Sequence, residues 1–319
     1  MTSWLVKAAI QGAIARLPGR HRFNYLLQNY VTGSVALTEA GLEGKVVQCR
    51  RHLESYTGHR GRLPRAALEL GTGWYPVVPV GLFLAGVDEV TTVDVSPLCD
   101  LARVHRTLEL FASQLRSERL RALLPQSRSD RAESVIAASG DRTARDGRQL
   151  LARLGIRLLV CDVRTSGLPP GSVDLIVSNN TLEHIPLDEL QAIMAEFRRV
   201  ARPAAVMDHF VDMSDHYAHF DHTITEFNYL RYSDRIWRIF NNPLQYQNRL
   251  RVSDFRRMIE DAGFQVIAEE AEQGSAHELD RIRLDASFRR YPSEELRVLR
   301  CWLTAAVRDS ASAEATAAH

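Results

Sequence analysis

Paired cysteines are missing from this chain. The four it has, Cys49, Cys99, Cys161 and Cys301, stand far apart with no CxxC spacing, which excludes a zinc knuckle and a disulfide scaffold and predicts reduced thiols. No apolar run approaches the roughly 20 residues that span a bilayer. The opening MTSWLVKAAIQGAIARLPGR has no small-residue cleavage site after a compact apolar core, so the expectation is a cytoplasmic chain without a transmembrane segment. An excess of one charge is missing too. Lys plus Arg number 40 against 39 for Asp plus Glu, so no basic field covers the surface and a nucleic-acid partner is not favoured. There is no HExxH motif and no internal repeat.

What is present is the composition of a globular protein, 45% hydrophobic and 25% charged over 319 residues, enough for one large domain with an accessory part or two small domains. Trp4, Leu5, Ala8, Ile10, Ala13, Ile14 and Leu17 recur at three- and four-residue steps. This predicts an amphipathic helix over Ser3–Leu17, stopped by Pro18-Gly19, with its apolar face against the rest of the protein. A membrane surface under Lys7, Arg16, Arg20 and Arg22, or a second copy of the chain, are the alternative partners. From Met1 to Arg65 ten basic residues face three acidic ones, which marks residues 1–62 as a separate, mostly helical N-terminal cap.

After Pro64 the texture changes. AALEL, VTTVDV, IRLLVCDV and VDLIVSN are short apolar runs separated by turn residues and helical stretches, the pattern of a parallel sheet with crossover helices. The fold expected is doubly wound α/β over residues 63–304. Residues 97–154 form a helical insertion after the second strand, and their Ser-, Asp- and Arg-rich middle, 126–148, is expected to be a mobile lid. A fifth strand, AAVMDHFVDM, leads into a polar and aromatic substrate-side segment, 208–251. The small residues of 305–319 predict a disordered tail.

Glu69-Leu70-Gly71-Thr72-Gly73 follows the first strand, where glycines let a backbone approach a ligand closely. Asp94 ends the second strand 21 residues after Gly73, where a carboxylate can receive the vicinal hydroxyls of a ribose. The turn continues Trp74-Tyr75-Pro76, which removes an amide donor and disfavours the pyrophosphate of a nicotinamide dinucleotide.

These residues resemble the class I S-adenosylmethionine-dependent methyltransferases. The likeness is carried by ALELGTG, VDVS, VCDVR and SVDLIVSNNTLEHI, and the wider phrasing with GTGWYP, SNNTLEHI and SDHYAHFD resembles a bacterial subgroup of them. The resemblance implies a Rossmann-like sheet and S-adenosylmethionine as cofactor, leaving as S-adenosylhomocysteine. It implies that Glu69 lies beneath the methionine end, Gly71 and Gly73 shape the loop, Asp94 binds ribose, and Asp162 with Val163 faces adenine. Ser178 and Asn179 would line the side where the methyl emerges. The plain alternatives are a surface turn for Asp162 and a helix cap before Pro97 for Asp94.

Methyl transfer is an in-line displacement, and a hydroxyl acceptor must lose its proton. His184 in LEHIP sits where ligands of open α/β sheets bind. His216 and His219 belong to the dense run Asp208–His222 after the fifth strand. Three readings of that run stand open: a general-base histidine, hydrogen-bonded support, and a divalent-metal site of Asp and His, the last not favoured. Tyr217, Trp237 and Arg249 are the candidates for substrate binding, with core packing as the alternative. The function expected is O-methylation of a small or sugar-containing metabolite. A nucleic-acid methyltransferase and a non-catalytic scaffold are the competing classes.

Overall fold

The computed structural model describes residues 4–14, 36–243 and 246–308. Seven strands form one sheet in the order β3-β2-β1-β4-β5-β7-β6. They are β1 (Ala66–Leu70), β2 (Glu89–Asp94), β3 (Ile156–Val160), β4 (Val173–Asn179), β5 (Ala201–Asp212), β6 (Phe264–Gln273) and β7 (Val298–Val307). The first five run parallel, and β7 lies antiparallel between β5 and β6. This is the doubly wound α/β class expected. The four apolar runs are four adjacent parallel strands because a strand covered on both faces must be apolar throughout, as in AALEL, where all five residues are buried.

Chain order turns away from β1 in both directions, toward β2 on one side and β4 on the other. The crevice at the carboxyl ends of those strands is therefore the place for a ligand. Helix α1 (Trp4–Ile14) is followed by α2 (Glu39–Arg60), which starts where the Thr38 hydroxyl accepts the Gly41 amide and stops at Gly61 with φ 64°. Helix α3 (Val77–Leu84), of sequence VVPVGLFL, is buried at every residue. It packs so closely on α2 that a Cβ on Gly81 would lie 2.8 Å from the Cys49 sulfur.

Residues 97–154 do form helices: α4 (Leu101–Arg116), α5 (Arg119–Leu123), α6 (Ser129–Ser139) and α7 (Gly147–Ala152). They are part of the main core, which corrects the expected lid. Polar as 126–148 is, Val135, Ala138 and Ala144 turn inward and are buried in the cluster that holds Val46, Val80 and Leu108. A second cluster covers the other face of the sheet, where α8 (Leu187–Val200) and α10 (Val252–Asp261) bring Ile193, Met194, Phe197, Phe255 and Ile259.

The expected N-terminal cap is two separate attachments in the described residues. Helix α2 sits on the sheet beside α3. Helix α1 docks far away, its Trp4 ring 5.4 Å from Tyr217 and 5.0 Å from Phe240, which lies on α9 (Asp234–Phe240), and its amide donates to Asp221 Oδ2 at 2.9 Å. The prediction for Leu17 and the Pro18-Gly19 stop falls outside the described residues. Ala305–Val307, assigned to a disordered tail, are instead buried in β7; residues 309–319 lie outside the description. No helix among the described residues is long and apolar enough to cross a membrane.

Candidate functional site

A cavity of about 720 Å³ opens at the carboxyl edge of β1, β2 and β4 and is roofed by the start of α2. Its lining includes Gly71, Gly73, Asp94, Asp162 and Val163, together with Lys45, Asn179, Asn180, Thr181, His184 and Tyr246. Trp74 and Tyr75 also face it.

The glycine loop has the geometry that only glycine tolerates well. Gly71 has φ +89° and Gly73 φ +64°. The Gly71 amide donates to the Val93 carbonyl at 2.8 Å, and a Cβ at Gly71 would lie 2.3 Å from Thr181 Oγ1. A Cβ on Gly73 would meet nothing within 4 Å. Gly73 is thus chosen by conformation, and Gly71 by conformation and close approach together.

Asp94 holds this loop. Its Oδ2 accepts the Gly73 amide and its Oδ1 the Ser96 amide, each at 2.9 Å. Burial raises its carboxyl above the ordinary value, with those amides pulling the other way. A carboxylate has about four lone-pair sites, so Asp94, which lines the cavity, keeps acceptor capacity beyond these amides. Glu69 lies below, 4% exposed, taking a hydrogen bond of 2.6 Å from Thr92 Oγ1. Burial pushes its carboxyl up to about 7, against the Thr92 hydrogen bond and the Lys45 charge. Asp162 accepts the Arg164 amide and Nε, both at 2.9 Å, and the guanidinium hydrogen bond holds its carboxyl below the usual range.

Asn179 is tied to a buried chain of polar groups. His52 Nε2 lies 3.2 Å from Asn179 Oδ1, and His52 Nδ1 lies 2.6 Å from Asp208 Oδ2. Thr304 Oγ1 donates to Asp208 Oδ1 at 2.6 Å. Burial alone would raise the Asp208 carboxyl, but His52 and Thr304 bring it below its ordinary value. His184 donates from Nδ1 to the Tyr246 carbonyl at 2.7 Å, which leaves Nε2 with a lone pair.

Several expected site residues lie elsewhere. Ser178 is fully buried and its hydroxyl is bonded to His209 Nδ1 at 2.8 Å, since alternation along β4 turns it to the face opposite Asn179. His216 and His219 do not line the cavity. Burial, reinforced by His184 beside it, pushes His216 down to about 3, while His219 is half exposed and bonded to Ser214 Oγ at 3.1 Å. Tyr217, Trp237 and Arg249 belong to the aromatic cluster under α1. The Tyr217 hydroxyl donates to the Phe240 carbonyl and Trp237 Nε1 to that of Gln247. The Arg249 guanidinium is used by the Tyr229 and Tyr232 carbonyls and by Asp234. Their polar groups are satisfied internally, so the core-packing alternative holds for all three.

Lys45 and His52 are cavity or support residues that no motif marks, and Asn180 and Thr181 are cavity residues inside SNNTLEHI that the sequence motif does not single out. His52 has its partner Asp208 at a separation of 156 residues, and no local spacing announces such a pair. Thr181 was within SNNTLEHI, where the tight glycine loop was a signal that something must approach it.

A family model described as a methyltransferase domain matches residues 126–207, about a quarter of the chain, from α6 into β5. No curated protein matches the sequence. Among solved structures, magnesium protoporphyrin IX methyltransferase from Synechocystis PCC 6803, with bound S-adenosylhomocysteine, is 12% identical with TM-score 0.45, covering 95% of this chain and 99% of that one. The CcbJ methyltransferase from Streptomyces caelestis is 12% identical with TM-score 0.44, covering 82% and 95%. The 1,6-didemethyltoxoflavin-N1-methyltransferase from Burkholderia thailandensis is 14% identical with TM-score 0.41, covering 92% of each chain. The chain is a doubly wound α/β sheet with an antiparallel β7, and residues 126–207 match the methyltransferase-domain model.

Proposed function

We propose that the protein is an S-adenosylmethionine-dependent methyltransferase acting on a small molecule, at an oxygen atom. The observation that carries this reading is the pairing of the Gly71–Gly73 loop with Asp94 in the lining of the cavity, on a sheet of this order. The cavity fits the cofactor. Its volume lies within the usual range for such ligands, roughly 300–1,000 Å³, and Gly71, Gly73 and Asp94 all line it.

In this reading Asp94 receives the ribose hydroxyls on its spare lone pairs, Asp162 and Val163 hold the adenine, and the glycine loop passes under the methionine part above Glu69. When bound, the cofactor supplies an electrophilic methyl on a sulfonium. Asn179, steadied by His52 and Asp208, stands at the methyl side. The acceptor binds among Asn180, Thr181, His184 and Tyr246, with Lys45 in the roof. These are hydrogen-bonding groups of the kind that orient a hydroxyl, and the His184 lone pair is the chemical handle there. Closure by α2 keeps water from the sulfonium. Of the three histidines named for the acceptor proton, His184 is retained, because His216 and His219 do not reach the cavity.

The test supplies S-adenosylmethionine with a labelled methyl group to the protein and a mixed pool of small hydroxylated metabolites. Label entering the small-molecule fraction, and lost with Asp94→Ala, supports the reading. Label entering nucleic acid or protein instead would overturn the acceptor class, and no transfer alongside no cofactor binding would overturn the reading entirely.

A further inference from the structure

Below the acceptor end lies a charge problem. Glu183, in the turn after β4, is 1% exposed, and neither carboxylate oxygen makes a well-aligned hydrogen bond, with only the amides of Glu183 itself and Asp212 beside it. A buried carboxylate so weakly bonded is strongly unfavourable, so such a group must carry a proton or face a cation. Among the described residues no Lys or Arg makes an ion pair with it. Histidine nitrogens do stand around it. One ligand atom each from Glu183, His184 and His216 lie within 4.8 Å of one another, and the His184 and His216 rings are 5.0 Å apart.

We propose that Glu183, His184 and His216 form a binding site for one divalent transition-metal ion, facing the acceptor end of the cavity through His184. Two imidazoles and a carboxylate are a donor set for Zn²⁺, Fe²⁺, Co²⁺ or Mn²⁺, and they leave positions open for water or a substrate oxygen. His184 is already oriented for this. Its Nδ1–H is held by the Tyr246 carbonyl, which leaves Nε2 as the nitrogen that can act as a ligand, the usual arrangement around a metal-bound imidazole. The residues come from two sources, the turn after β4 and the segment after β5, so the site closes only when the fold has formed.

The surrounding charges suit a cation. Asp212 Oδ2 stands 4.0 Å from His216 Nε2 and 3.9 Å from His219 Nε2. Arg300 Nε is 3.6 Å from the same oxygen but its other nitrogens pair at 2.9 Å with Glu226 and Glu272, and the other Asp212 oxygen is used by Ser214. One guanidinium thus serves three carboxylates, and Glu183 adds to the excess of negative charge. The three ligand atoms need only draw together by an ångström or so to reach the separations set by bonds of about 2.0–2.2 Å.

The consequence for the acceptor is a chemical class. An ion here would take a substrate oxygen into its open position and lower the pKa of that hydroxyl, so that its proton can pass to water and His184 serves as a ligand in place of accepting that proton. This use of the ion rests on the proposed methyl transfer, while the site itself does not.

The test titrates the tag-free, metal-free full-length protein with Co²⁺ and follows the visible ligand-field bands, with equilibrium dialysis for stoichiometry. One equivalent is expected to bind with d–d absorption. Glu183→Gln and His216→Ala should each weaken binding at least tenfold, and a double variant should bind none. Glu183→Gln keeps the shape of a protonated acid, so its unchanged thermal unfolding shows that lost binding is not lost folding. Absence of stoichiometric Co²⁺ binding would overturn the proposal and assign Glu183 a proton. Binding that survives both single variants would overturn it equally. Since no cofactor is present in the titration, either failure leaves the methyl-transfer reading intact.

Discussion

Substituting Gly71 by Ala separates two physical demands that the loop makes. The first is backbone conformation. At φ +89° an Ala carries a penalty of roughly 1–2 kcal/mol relative to Gly. The second is contact, because the new Cβ would lie 2.3 Å from Thr181 Oγ1, 2.8 Å from its Cγ2 and 3.1 Å from its Cβ. All three atoms belong to a short β-branched side chain whose hydroxyl donates to the Asn179 carbonyl at 3.0 Å, so it cannot swing away freely. Overpacking of this kind costs about 1–3 kcal/mol. The expected loss for Gly71→Ala is therefore about 2–5 kcal/mol. Gly73→Ala, with φ +64° and open space around its Cβ, should lose only about 1 kcal/mol. Urea unfolding measures both. Adding Thr181→Gly to Gly71→Ala should restore the contact part, giving a favourable coupling of at least about 1 kcal/mol, with the conformational part remaining. Equal losses at the two glycines, or no coupling with Thr181, would refute the geometry of the loop.

Two further outcomes follow from the buried polar groups. The Glu69 carboxyl titrates near 7 in the fold against an ordinary 4.5, so its folded pKa is raised. Its contribution to stability is full below pH 4.5 and is lost as pH rises to 7, by roughly 3 kcal/mol at 1.36 kcal/mol per unit. Glu69→Gln should flatten that part of the stability profile in unfolding experiments between pH 4 and 8; an unchanged slope would contradict it. Replacing His52 by Ala removes the partner of Asp208 and leaves a carboxylate buried with Thr304 alone, which should destabilise the protein by roughly 3 kcal/mol. His52→Ala combined with Asp208→Asn should recover part of that loss, and thermal unfolding that shows additive losses would argue against the pair.

The strands, and the glycine turn and carboxylate that line the cavity, were legible in the sequence because their causes are local. A parallel strand buried on both faces must be a short apolar run, and a glycine turn and a strand-ending carboxylate occupy fixed places on such a sheet. The rest of the cavity was not legible, for reasons visible in particular residues. Tyr217, Trp237 and Arg249 look like ligand-binding groups by type, yet the helix at Trp4 and the carbonyls around Arg249 satisfy them from distant parts of the chain. Ser178 and Asn179 are neighbours in sequence but face opposite sides of β4, and only the latter reaches the cavity. The pattern of 126–148 reads as mobile because its few apolar residues are small, but Val135, Ala138 and Ala144 are enough to seat it. His52 carries no motif at all, and its role exists only once α2 lies across the end of β5.

The most direct test of the account is a calorimetric titration of the purified protein with S-adenosylmethionine, S-adenosylhomocysteine and NAD, with Asp94→Ala in parallel. The account predicts that both adenosyl ligands bind and NAD does not. It predicts that Asp94→Ala weakens them about 10- to 100-fold, as expected for hydrogen bonds to a charged group worth roughly 1.5–3 kcal/mol. Preference for NAD, or failure of both adenosyl ligands to bind a folded protein, would contradict it.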